Sequence, residues 1–142
     1  MKLTRASSYA LHAMAFLSAQ KQNNPVASHL VAQARGIPER FLLKVLKPLV
    51  SARILLSVKG PNGGYRLAKP ASEITMLDVV EAVDGPIRGT APLNQGEGGG
   101  NLDRKLESIC NQAADQVRAH MEKIRISELT GHLKDRPGRR AM

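Results

Sequence analysis

Apolar positions along this chain of 142 residues fall mostly in helical spacing. Ala10, Ala13, Met14 and Leu17 recur at i, i+3, i+4 and i+7, which predicts a first helix over about 4–19 with that stripe facing a core. The turn Gln22-Asn23-Asn24-Pro25 ends it. A short helix is expected from Ser28 to Ala34, with Leu30, Val31 and Ala34 as its apolar side, and Gly36 breaks it. Pro38 then suits the first turn of a third helix, where its missing N–H costs nothing. Leu42, Val45, Leu46 and Leu49 give that helix a buried stripe, and Arg40, Lys44 and Lys47 line the opposite face. Pro48 removes a hydrogen bond and should bend or end the helix there.

The pattern then changes. Leu55-Leu56-Ser57-Val58 and Tyr65-Arg66-Leu67-Ala68 flank the glycine-rich Lys59-Gly60-Pro61-Asn62-Gly63-Gly64, which reads as a β-hairpin. Helical spacing returns at Ile74, with Thr75 as cap, Asp78 at the third position and Ile74 able to staple onto Val79. This fourth helix stops at Asp84-Gly85-Pro86. Residues 87–100 read as a flexible connector; Gly96 to Gly100 lacks the Lys-Ser/Thr of a phosphate loop. Asn101 is expected to cap the longest helix, over about 102–125. Leu102, Leu106, Ile109, Cys110, Ala113, Val117, Met121 and Ile124 form its near-heptad seam, which favours pairing with a second copy. One or two short turns to Leu133 follow, then a basic tail, 134–142, that reads as disordered.

Charge sharpens this picture. The net charge is +9, and 35–69 holds eight cations against one anion, Glu39. A basic excess favours polyanions, and this one sits on the third helix and the hairpin. A glycine-tipped turn between Lys59 and Arg66 lets backbone approach an anionic partner closely. Two short helices meeting at Gly36, with small Ala32 where they come close, fit a helix-turn-helix; the hairpin directly after makes a winged helix. The fold class is therefore mainly α with a small β-wing, a winged helix-turn-helix domain followed by a long C-terminal dimerisation helix.

Other classes recede. The N-terminus imitates a signal peptide, with Lys2 and Arg5 before an apolar stretch, but Ser7, Ser8 and His12 interrupt it. No apolar run is long enough for a transmembrane helix, so no membrane partner is expected. His12, His29, His120 and His132 show no metal spacing, and no catalytic constellation assembles, so an enzyme is not expected. A single cysteine, Cys110, excludes an intramolecular disulfide and a CxxC zinc site.

The opening Met1-Lys2-Leu3-Thr4 with Tyr9-Ala10-Leu11, the helix pair, the run Val58 to Leu67 and the run Ile74 to Gly85 together resemble the Rrf-two family of bacterial transcription regulators. The resemblance covers essentially residues 1–133. It implies a homodimer whose long helices cross, with two winged helices on a palindromic operator in double-stranded DNA, acting as a repressor in the cytoplasm on the nucleoid. The organisation it implies is a DNA-binding domain over 1–85, a glycine-rich loop over 86–100, a dimerisation helix with a short terminal helix over 101–133, and the tail.

Carried over by position, Glu39, Arg40 and Lys44 fall on the groove-facing side of the recognition helix. Arg40 or Lys44 suits guanine O6/N7, and Glu39 a cytosine amino group. Lys47 suits phosphate, and Lys59, Asn62, Gly63 and Arg66 the DNA backbone or minor groove. Leu43 stands where relatives often carry a polar reader, and an apolar contact with thymine methyl is open to it. Leu106, Ile109, Cys110, Ala113, Val117 and Met121 are the implied dimer interface. Cluster-sensing members carry three cysteines before or early in the long helix. Here the connector has none, the third ligand position falls near Arg104, and Cys110 lies about six residues beyond it. One thiolate, even with His12 added, is too few for a cluster that takes four ligands, so no iron–sulfur cofactor and no metal site are expected. Cys110 reads first as a small apolar residue of the seam and second as a redox thiol. A rival function is a winged-helix adaptor that binds a metabolic enzyme, with DNA contact secondary.

Overall fold

The computed structural model describes residues 1–91 and 100–135. The core of the glycine-rich connector and the end of the basic tail lie outside these residues. The first helix, α1, spans Arg5–Ser18 and forms the centre of the core. Ala10, Ala13, Met14 and Leu17 are all buried, as their spacing required. Thr4 caps α1 through its side-chain oxygen, which accepts from the Ser7 N–H at 3.0 Å. The Thr4 and Ser7 hydroxyls both donate to Asp84 Oδ2, at 2.8 and 2.6 Å, so the serine that interrupts the apolar N-terminus is buried but satisfied.

Helix α2 spans Ser28–Arg35 and α3 spans Glu39–Ser51. Gly36 between them adopts φ 68°, the left-handed conformation that favours glycine. The Gly36 and Ile37 N–H groups both reach back to the Ala32 carbonyl, closing the end of α2. Ala32 and Ile37 are buried beneath this turn. Two local expectations change. Leu30, expected on the apolar side of α2 with Val31 and Ala34, is exposed; Val31 is buried as expected, Ala34 is only partly buried, and Ala32 is buried in addition. Pro38 sits at the cap, one residue before α3 begins.

Pro48 does not end α3, which runs three residues further. The lost hydrogen bond would have gone to the carbonyl of exposed Lys44, where water can replace it. Beyond it, fully buried Leu49 continues the stripe of Leu42, Val45 and Leu46, and packing holds the last turn in place.

Strands β1 (Leu55–Val58) and β2 (Gly64–Leu67) pair antiparallel, with Leu55 opposite Leu67 and Val58 opposite Gly64. Val26, just before α2, pairs with Tyr65 through hydrogen bonds of 3.0 and 2.9 Å. The hairpin is thereby joined to the start of the helix pair.

Helix α4 spans Met76–Asp84 and carries the full capping box: Thr75 Oγ1 accepts from Asp78 N–H, and Asp78 Oδ2 accepts from Thr75 N–H. Ile74 and Val79 are both fully buried, as a staple requires. Helix α5 spans Gly100–Glu122, 23 residues, so Asn101 lies inside its first turn rather than capping it; its Oδ1 accepts from Arg104 at 2.6 Å. A short helix, α6, spans Ile126–Leu129 and leads into a 3₁₀ segment, Thr130–Asp135. The Met76 N–H donates to Ile124 and the Ile126 N–H to Ile74, which straps the end of α5 to the start of α4. Met121 and Ile126 therefore belong to the same buried cluster as α1, and the core does not divide after Gly85.

Candidate nucleic-acid interface

The third helix presents two faces with little overlap. Leu42, Val45, Leu46 and Leu49 are buried, while Arg40, Lys44 and Lys47 stand exposed on the opposite side. Burial of the stripe fixes how the helix is rolled, and that roll fixes the cations outward. Arg40, Lys44, Lys47, Lys59 and Arg66 make no ion pair among the described residues. Their charge remains available to an anionic partner, and unscreened cations spaced along one helix suit phosphates and base acceptors.

Glu39 is already engaged. Its Oε2 accepts from Ser28 Oγ at 2.7 Å, linking the first residues of α2 and α3. The carboxylate expected to accept from cytosine is thus also part of the contact between the two helices. Sequence reasoning passed over Phe41. Its ring is half exposed, and Lys44 Nζ sits 5.5 Å from the ring centroid, within range of a cation–π contact. The signal was present, since Phe41 falls outside the 42/45/46/49 stripe. Leu43, also off the stripe, is exposed as expected.

The wing is built for closure of its own turn. Gly63 N–H donates to the Gly60 carbonyl at 3.0 Å, with Pro61 and Asn62 between them. A Cβ at Gly63 would lie 2.1 Å from the Val58 carbonyl oxygen, so this glycine is required by the hairpin itself. Lys59 and Asn62 project from the exposed tip, whereas Arg66 stands half-buried on β2, opposite Leu56.

Behind the interface, an Arg35 Nη2 donates to His12 Nδ1 at 3.1 Å, tying the last turn of α2 to α1. Partial burial, and next the neighbouring Arg35 cation, hold the His12 pKa below its ordinary value. This histidine contributes no charge to the cationic surface near neutral pH.

The expected seam of α5 divides in two. Met121 is 3% exposed in the single chain and packs into its own core, so it has almost no surface left for a partner. Val117 packs partly against that core, Ala114 is buried, and Ala113 is exposed beside it. Leu102, Leu106 and Ile109 are instead 61, 42 and 49% exposed. Glu81 Oε2 accepts from both Arg118 and the Ile87 N–H, at 2.7 and 2.8 Å, which holds the segment after α4 along α5. There the Gly89 backbone lies directly against that of Cys110, a free and half-buried thiol. Among the described residues no three His, Cys, Asp or Glu side chains converge, and no helix is long and apolar enough to cross a membrane.

Comparison with known proteins agrees with this architecture. The family model described as Rrf2, iron-dependent transcriptional regulator, matches residues 3–132. The HTH-type transcriptional regulator IscR of Vibrio campbellii is 30% identical over 129 residues, 91% of this chain and 77% of that protein. A protein of Mycobacterium tuberculosis named as an HTH-type transcriptional regulator is 34% identical over 97 residues, 68% of this chain. The match spans 60% of that relative's length and 54% of Rhizobium meliloti protein aau3, less than two thirds of either. The structure of CymR, the global cysteine regulator of B. subtilis, aligns with a TM-score of 0.74 at 23% identity, covering 93% of this chain and 98% of that one. At that identity the likeness shows a shared fold.

Proposed function

The chain belongs to the Rrf2 family of transcriptional regulators, and from that premise we propose that it is a homodimeric repressor that seats two winged helices on a palindromic DNA operator. The observation that carries this reading is the roll of α3: its apolar stripe is filled from within, and its three cations face outward without ion-pair partners among the described residues. In this reading Arg40 reads guanine in the major groove, Lys47 holds phosphate, and Lys59 and Asn62 at the wing tip meet the adjacent backbone. Pairing of two chains through Leu102, Leu106, Ile109 and Ala113 covers the exposed stripe of α5. Two half-sites would then lie about one helical turn apart, near 34–36 Å. The site of action in this proposal is the cytoplasm, on the nucleoid.

The family description names iron, but the donor set here does not fit a conventional iron–sulfur cluster. Cys110 is the chain's single cysteine, Arg104 stands near the implied third ligand position, and Gly89 backbone closes against the backbone of Cys110. We therefore propose regulation without such a cluster. Cys110 borders a hollow of about 430 Å³ between the N-terminal residues, the end of α4 and α5, which could admit a small effector.

Fluorescence anisotropy against pooled genomic fragments tests the proposal. Enrichment of one palindrome supports the repressor; binding without selection, or selective capture of an enzyme instead, overturns it in favour of the adaptor.

A further inference from the structure

We infer that α3 reads thymine as well as guanine, with Phe41 and Leu43 seated against the C5-methyl groups of thymines in the major groove. This rests on the DNA-binding reading above and adds the base identities that reading leaves open. Phe41 and Leu43 are 50 and 42% exposed, on a helix whose core stripe is already complete without them. They lie in its first half, the part of a recognition helix that faces base edges. Successive residues turn by about 100° around a helix axis, so these two stand on opposite flanks of the Arg40–Lys44 ridge.

The major groove offers one apolar group, the thymine methyl. A helix that enters it with large apolar side chains on both flanks gains most where methyl groups meet them. Lys44 strengthens the assignment, because its ammonium stays 5.5 Å from the Phe41 ring centroid instead of extending freely. That leaves Arg40 as the group placed for a bidentate contact to guanine O6 and N7. The half-site inferred is a guanine with thymine methyls on either side of it.

The test uses the full chain. A binding site is first selected from a randomised duplex pool, then each thymine is replaced singly by uracil, which removes the methyl and keeps O4. Two positions per half-site should each lose roughly fourfold in affinity, the value of one buried methyl-sized group. Phe41→Ala should abolish the uracil penalty at one of them and Leu43→Ala at the other, with thermal melting checked to confirm both variants fold. A selected site indifferent to uracil, or penalties untouched by either variant, overturns this inference while leaving DNA binding standing; the exposed pair would then point to a protein partner. Failure to select any sequence overturns the DNA-binding reading and this inference with it.

Discussion

Helices α3 and α5 are both amphipathic, yet only one of them is complete within the chain. Every residue of the α3 apolar stripe is buried, so its polar face is left free to act. The stripe of α5 is buried only towards its C-terminal half, at Ala114 and Met121; Leu102, Leu106 and Ile109 lie in solvent. An apolar stripe therefore says that a helix needs a partner, and only the three-dimensional arrangement says whether the chain supplies it. In the proposed function the outward face of α3 meets DNA, whereas the unfilled apolar face of α5 meets a second chain.

The sharpest way to break this contrast is to charge the unfilled stripe. Leu106→Glu with Ile109→Glu should weaken self-association roughly a thousandfold, since each of the four side chains lost from a dimer is already about half covered and is worth about 1 kcal/mol of further burial. Sedimentation velocity would report monomers, with the fold retained because both side chains are already exposed. Unchanged dimers would move the interface elsewhere. On the completed helix, Arg40→Ala should cost about 1–3 kcal/mol at a selected site, and much less on random DNA. Equal losses on both would remove Arg40 from base readout.

A substitution outside both stripes sets the control. Thr75→Ala breaks the capping box of α4 and should lower stability by about 1 kcal/mol in chemical denaturation. Neither assembly nor base preference should follow it. Lys47→Ala is expected to weaken specific and random DNA alike and to reduce the salt slope by about one unit, read from anisotropy titrations at several ionic strengths.

The smallest effect concerns His12. Its folded pKa lies below the 6.5 of the free side chain, so on acidification the unfolded chain takes up the proton first. The His12 contribution to stability is intact above pH 6.5 and is lost as pH falls through the folded value. Denaturation midpoints of His12→Gln measured across that range should lack this component of the decline.

What could be read from the sequence was local. The helix break at Gly36, the Thr75–Asp78 box and the 42/45/46/49 stripe each need only a few neighbouring residues, and each stands as read. The misreadings involve distant partners. Pro48 stays inside α3 because the core grips Leu49 beyond it. Leu30 turns outward because Val31 and Ala32 fill the space against the rest of the core. Met121 leaves the seam because the strap between Ile124 and Met76 draws the end of α5 into the body. On α3, charge and spacing placed Arg40, Lys44 and Lys47 on the face that is exposed. The Ser28–Glu39 link, and the ring beneath Lys44, depend on how α2 and α3 meet and how side chains settle on them.

The most direct measurement is protection of guanine N7 from dimethyl sulfate on a selected duplex, with the full chain bound. Two protected clusters should lie on one face of the DNA, 10–10.5 base pairs apart, and both should vanish with Arg40→Ala. A single cluster, or protection that survives the loss of Arg40, would contradict two chains each laying α3 into the major groove.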